Sequence, residues 1–258
     1  MDRIRFKKKP GLVAYITCGY PDLHTTGEII LAAISAGAEV IELGVPFSDP
    51  IADGPVIQRA SERALRNGTS LQDVLRLARD VRKQSEAGLV IFSYLNPVLR
   101  LGFDRFCADA VDAGVDGVLI TDLTVEESGE YRRCMAASGL AAIFLIAPTT
   151  TDRRLQKIAG SSQALIYAVS RTGVTGAQEK LTDDAAHLVR RVRKYTDLPV
   201  AVGFGISTPE HLSQIAEFAD AAVVGSAIVQ TIEQNTGHAP PAVAELISSY
   251  AKKQYDAI

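Results

Sequence analysis

The stretch Ala36-Gly37-Ala38-Glu39-Val40-Ile41-Glu42-Leu43-Gly44 reads as a helix end, an acidic corner and then a short strand. The same order returns in AGVDGVLIT, Ala113 to Thr121, and in FADAAVVGS, Phe218 to Ser226. Gly37 and Gly114 suit the left-handed position just past a helix C-terminus. Outward from these segments, short apolar runs rich in β-branched residues recur along the chain. They are LVAYIT from Leu12, VIEL from Val40, LVIFSY from Leu89, GVLIT from Gly117, AAIFLIA from Ala141, ALIYAVS from Ala164, PVAVGFG from Pro199 and AAVVGS from Ala221. Between them lie stretches with helical spacing and polar starts, such as Asp22 before the first and Thr208-Pro209 before HLSQIAEF, where an N-cap precedes a proline at the first helical position. Near-continuous apolar strands alternating with amphipathic helices imply a parallel sheet covered by helices.

Eight such units in 258 residues imply closure into a (βα)8 TIM barrel. A doubly wound open sheet would carry GxGxxG in its first βα turn, and TCGYPD at Thr17 to Asp22 lacks it. No Ser/Gly/Pro-rich linker or charge block divides the chain, so residues 1–258 are expected to form a single domain. Two strand-to-strand gaps are long, Val40 to Leu89 and Ala164 to Pro199. Extended loops are therefore expected after strands 2 and 6, on the C-terminal face where barrel active sites are built.

Composition excludes several classes of function. Hydrophobic residues make up 47% and charged residues 22%, enough to fill a sizeable core, and a net charge of −3 gives no basic face for nucleic acid. The basic run Arg3 to Lys9 reads as a solvated leader, with no apolar stretch behind it to make a secretory signal. Cys18, Cys107 and Cys134 have no CxxC spacing, which fits a reducing compartment; a cytoplasmic enzyme is expected. No lysine stands at a strand end, against a Schiff-base aldolase. His24, His187, His211 and His238 form no ligand cluster, so no metal is expected. Cys18, at the end of strand 1, reads as packing rather than a nucleophile.

Glu42 interrupts an apolar strand. Alternation places it with Val40 on the barrel interior if Ile41 and Leu43 face the helices. A carboxylate there is either a paired structural group or a proton-transfer group whose pKa burial raises. Asp49 and Asp53 share a loop bounded by Pro46, Pro50 and Pro55, and spacing alone leaves open which is catalytic and which shapes the turn. Gly203-Phe204-Gly205 after strand 7 and Gly225-Ser226 after strand 8 suit a phosphate held by backbone N–H groups and a helix N-terminus.

ELGVPFSDPIADGPVIQ, Glu42 to Gln58, resembles the signature of the tryptophan synthase α subunit family. The likeness continues in register through TCGYPD, YLNP from Tyr94, TDLTVEE from Thr121, SRTGVTG from Ser170, GFGIS from Gly203 and GSAIV from Gly225. It implies retro-aldol cleavage of indole-3-glycerol phosphate to indole and glyceraldehyde 3-phosphate. By resemblance Glu42 is the general acid–base at indole C3 and the adjacent hydroxyl, Asp53 accepts the indole N–H, and Tyr167 orients the glutamate. Thr175 and Gly176 match a lid. Gly176, Phe204, Gly205, Gly225 and Ser226 match the phosphate site, and Tyr15, Ile57, Phe92, Tyr94 and Leu119 the walls around the indole. Asp49 maps to partner contacts. The implied partner is a β subunit in an α2β2 heterotetramer, which holds pyridoxal phosphate; no cofactor is implied in this chain.

The sequence departs from that pattern in three places. The leader is short, leaving open whether a helix plugs the barrel bottom. Thr124 stands where proline is usual, and with Glu127 it suggests a capping box at a helix start. Cys18 replaces a common alanine. A free-standing indole-releasing lyase and a non-catalytic phosphate-ligand-binding regulatory barrel are the alternative functions.

Overall fold

The computed structural model describes residues 2–169, 178–203, 205–206 and 208–253. Thr175, Gly176 and Phe204 lie outside these residues. In chain order the elements are β1 (Gly11–Thr17), α1 (Leu23–Ser35), β2 (Val40–Gly44), α2 (Pro55–Arg66), α3 (Leu71–Arg82), β3 (Gly88–Ser93), α4 (Leu95–Leu101), α5 (Phe103–Asp112), β4 (Gly117–Ile120) and α6 (Gly129–Ser138). They continue with β5 (Ala141–Ile146), α7 (Asp152–Ala159), β6 (Ile166–Val169), α8 (Gln178–Val192), β7 (Val200–Gly203), α9 (Pro209–Ala216), β8 (Ala221–Val224), α10 (Ser226–Gln234) and α11 (Ala239–Lys253). Each strand pairs in parallel with the next, and β8 returns to β1, closing the barrel.

The alternation of side chains explains two nested cores. Val13, Val40, Val90, Leu119, Ile143, Tyr167 and Val223 point inward and fill the barrel. Ile41, Leu43, Leu89, Ile91 and Val118 point outward and pack under the helices. Glu42 shares the parity of Val40 and is 3% exposed, so the strand buries it on the interior face. The gap after β2 is filled mainly by helices α2 and α3, with a short loop from Val45 to Gly54 ahead of them.

The repeat read from the sequence has a physical role at the bottom of the barrel. The acidic corner before β4, Asp116, accepts the Leu89 N–H of β3 at 2.9 Å and the Arg82 guanidinium at 2.6 Å. Before β8, Asp220 accepts the Val200 N–H of β7 at 2.7 Å and pairs with Arg193. Gln163, before β6, accepts the Ala142 N–H of β5 at 3.2 Å. Each corner side chain thus satisfies a backbone donor at the start of the preceding strand, which water would otherwise have to reach. Gly37 (φ 119°) and Gly114 (φ 72°) adopt the expected left-handed conformation.

Two expectations are corrected. The leader is not merely solvated: Arg3, Arg5, Lys7 and Lys9 are exposed, but Ile4 is 5% exposed inside the barrel cluster, and Phe6 packs against it. Residues 2–10 contain no helix, and a leader of turns and bends plugs the barrel bottom. A Cβ on Gly117 would stand 2.9 Å from Ile4 Cδ1, so the small residues of the strand ends make room for it. Thr124 and Glu127 do bond, Oγ1 to Oε2 at 2.9 Å, but α6 starts later with Ser128 as its N-cap. The pair closes a turn, in which the Glu127 N–H donates to the Thr124 carbonyl at 3.1 Å, ahead of the helix that buries Tyr131.

Candidate active site

A cavity of about 310 Å³ opens at the C-terminal ends of the strands. Its walls include Tyr15 from β1, Asp53 and Ile57 from the segment after β2, Phe92 from β3 and Tyr167 from β6. Gly205, from the loop after β7, and Gly225 and Ser226, after β8, complete the lining. These are residues from distant parts of the chain, and barrel closure alone brings them together. Leu119 is fully buried in the barrel cluster and does not line the cavity, so it supports the floor rather than forming a wall. Tyr94, 3% exposed, stands behind Asp53.

The barrel wall is thinned by glycine to admit two phenol rings. A Cβ on Gly44 would lie 2.5 Å from Tyr15 Oη, and one on Gly203 would lie 2.4 Å from Tyr167 Oη. Tyr15 meets Phe92 edge-on at 5.1 Å between centroids, which sets the aromatic side of the cavity. Tyr15 and Glu42 are register partners on neighbouring strands. The charge of Glu42 also acts on Tyr167, whose pKa is raised first by burial and next by that carboxylate.

The two carboxylates have different surroundings. Burial pushes the Glu42 carboxyl up to about 8, and its Oε2 has no hydrogen-bond partner. Asp53 is raised to about 6 by burial, opposed by a hydrogen bond that the Tyr94 hydroxyl donates to Oδ2 at 3.1 Å. Near pH 7 the first group holds its proton and the second is mainly an anion. Two carboxyls whose environments separate their pKa values can divide acid and acceptor roles between them. Asp49 is exposed and its Oδ2 accepts from its neighbour Ser48 at 2.5 Å, outside the cavity. Cys18 is wholly buried, which raises its thiol pKa and fits packing.

On the loop after β8, Gly225 is the N-cap of α10 and Ser226 its first residue. The first-turn N–H groups of a helix lack intrahelical acceptors and carry partial positive charge, a setting for an anion. Gly205, at φ 49°, takes a turn that a side chain would strain. The cavity walls also include Thr121, Leu145, Val169, Ile206, Val223 and Gln230, which the sequence reading did not single out. Gln230 had a signal, since it follows Ser226 by one helical turn. Leu145 had one in its inward strand parity. Among the described residues no group of three or more His, Cys, Asp or Glu could hold a metal ion.

A family model for the tryptophan synthase alpha chain matches residues 1–257. The chain belongs to the tryptophan synthase alpha chain family. It is similar to the alpha chain of Solibacter usitatus, with 53% identity over 91% of this chain and 88% of that one. The alpha chain of Neisseria meningitidis serogroup B is 48% identical over 92% and 91% of the two chains. Among solved structures, tryptophan synthase subunit alpha from Legionella pneumophila superimposes with a TM-score of 0.88 at 37% identity, covering 96% of this chain and 94% of that one. A chain of the tryptophan synthase complex from Pyrococcus furiosus gives 0.87 at 36% identity, covering 95% and 99%. The family is a lyase of tryptophan biosynthesis that cleaves indole-3-glycerol phosphate, and this chain has the alpha-subunit role. No helix among the described residues is long and apolar enough to cross a membrane.

Proposed function

We propose that Glu42, Asp53 and the phosphate rim carry the retro-aldol cleavage of indole-3-glycerol phosphate in this chain. Glu42, protonated near neutral pH, gives its proton to indole C3 and turns the ring into an electron-poor indolenine. The carboxylate left behind removes the proton of the hydroxyl on the adjacent carbon. The C–O electrons form the aldehyde carbonyl, the C–C bond breaks, and its electron pair restores the indole. Glu42 ends the cycle as it began. Asp53, as an anion, accepts the indole N–H and stabilises the positive charge that develops on nitrogen. Tyr167 lies beside Glu42 and limits its orientation. Tyr15, Ile57 and Phe92 enclose the ring with Leu119 beneath and Tyr94 behind Asp53, and Gly205, Gly225 and Ser226 take the phosphate, with Thr175, Gly176 and Phe204 assigned to lid and phosphate by resemblance alone.

The observation that carries this reading is the placement of two unlike carboxyls: Asp53 lines the cavity, while Glu42 is buried on the strand beside it as the register partner of the wall residue Tyr15, with its pKa pushed up to about 8 against about 6 for Asp53. A pyridoxal-phosphate β subunit in an α2β2 assembly, in the cytoplasm, is the proposed setting. Ile51, 86% exposed and next to the wall residue Ala52, and Leu99, 48% exposed on α4, present apolar surface on the segments after β2 and β3, where a partner receiving indole would sit. The test is turnover of indole-3-glycerol phosphate with and without a β subunit. Activation by the partner fits the synthase subunit. High activity alone would favour a free-standing lyase, and no activity in either case would favour a binding barrel.

A further inference from the structure

We propose that Tyr94 is the positioning residue for Asp53: its hydroxyl bridges two consecutive residues of the loop after β2 and aims the carboxylate at the place of the indole nitrogen. The inference rests on the role given to Asp53 above and extends it to the residue that stands behind it, which the sequence placed only as a wall of the indole pocket. Tyr94 follows β3, at the N-cap position of α4, and reaches across to the neighbouring βα loop. Its Oη donates to Asp53 Oδ2 at 3.1 Å and accepts the Ala52 N–H at 2.9 Å.

A phenol has one proton to donate. Here the Ala52 N–H occupies an oxygen lone pair, which turns the O–H toward Asp53 and fixes its direction. The ring is held as well, stacked on Phe47 of the same loop at 5.0 Å and 30°. The backbone of Asp53 is tied independently, since its N–H donates to the Pro50 carbonyl at 3.0 Å and its carbonyl accepts from Gln58 Nε2 at 2.9 Å. With main chain and Oδ2 both fixed, Oδ1 is the oxygen left for a ligand. A carboxylate pinned in this way needs no reorganisation as charge develops on the substrate.

The donated bond also favours the anion of Asp53, against the effect of burial. Tyr15 and Tyr167 are the other titratable groups on which its charge acts from the surrounding strands. No lysine, arginine or histidine lines the cavity among the described residues, so no cation there does the same work as the Tyr94 hydroxyl.

The test is the pH profile of kcat and KM for indole-3-glycerol phosphate cleavage in four chains: wild type, Tyr94→Phe, Phe47→Leu and Asp53→Asn. Tyr94→Phe keeps the ring and is expected to lower kcat about tenfold at pH 6.5 and to move the acid limb up by about one pH unit. Its KM should stay within about twofold, because the apolar wall remains. Phe47→Leu, which keeps the hydroxyl, should leave the acid limb where it is; a limb displaced as far as in Tyr94→Phe would assign the effect to packing and overturn the proposal. An unchanged kcat and limb in Tyr94→Phe, alongside an inactive Asp53→Asn, would also overturn it. Wild-type kcat in Asp53→Asn would instead remove the role of Asp53 itself. Should Tyr94→Phe fail to fold by circular dichroism, a ring-fluorinated tyrosine at position 94 decides. A stronger donor should move the acid limb down, and no movement would refute the positioning role.

Discussion

Removing the carboxyl of Glu42 should change how stability depends on pH, independently of any assay of catalysis. Glu42 is 3% exposed, and its pKa rises from 4.5 to about 8 because burial penalises the anion. At about 1.36 kcal/mol per pKa unit, the gap corresponds to about 5 kcal/mol. Water entering from the cavity relaxes part of that penalty, so about 2–5 kcal/mol is expected. The sign follows from proton counts. Below pH 4.5 both folded and unfolded chains hold the proton and Glu42 contributes nothing. Between about 4.5 and 8 the unfolded chain releases it while the folded chain keeps it, so stability falls as pH rises and levels off above 8. Glu42→Gln lacks this loss. In urea unfolding at pH 5 and pH 9, the midpoint of the variant relative to wild type should rise by on the order of 1 M at the higher pH. Parallel stability–pH curves for the two chains would refute the claim that Glu42 is held protonated by burial. The same variant should form no indole, while still binding a phosphorylated ligand.

The cleavage rate should trace a bell in pH, with an acid limb near 6 from Asp53 and an alkaline limb near 8 from Glu42; a rate rising steadily to pH 9 would contradict these assignments. Asp53→Asn should lose about a hundredfold or more in kcat. Asp49→Asn should keep intrinsic turnover and lose response to a β subunit, and equal loss in both, measured without partner, would end that division. Gly203→Ala places a methyl 2.4 Å from Tyr167 Oη, and should cost about 1–3 kcal/mol and lower kcat by displacing the ring, read by unfolding and turnover together. Asp116→Ala leaves Arg82 Nη2 and the Leu89 N–H without their acceptor at the barrel bottom and the guanidinium without its buried counter-charge, at a cost of about 3–5 kcal/mol; a loss under about 1 kcal/mol, as for a surface pair, would show that water replaces the carboxylate.

Strand order and the inward direction of Glu42 were legible because both are local. A period of two fixes which residues face the barrel axis once Ile41 and Leu43 are assigned to the helices. The acidic corners at Glu39, Asp116 and Asp220 were visible as a repeat, but their acceptor role was not: the donors to Asp116 and Asp220 lie on the neighbouring strands, and the donor to Glu39 is the Lys7 N–H of the leader. The capping box at Thr124 was misplaced by local pattern. Where α6 begins depends on burying Tyr131 against the barrel, and a four-residue motif carries no such information. The leader was underestimated for a similar reason: seven residues rich in lysine and arginine look solvated, yet Ile4 and Phe6 meet a cavity that exists only after the strands close.

By itself the sequence determined a closed barrel, a carboxylate buried on its inner face, and glycines where an anion could approach. Those properties depend on alternation, helix caps and backbone freedom, which act over a few residues. Between Asp49 and Asp53 the sequence pattern offered no choice, and only the family signature separated them. Tertiary structure supplies the physical difference. Tyr94 is 41 positions from Asp53 in the chain, yet its hydroxyl meets that carboxylate and leaves Asp49 in solvent. Adjacent strands of a barrel bring their following loops side by side, and the partner of a loop residue is chosen there, across the gap between β2 and β3.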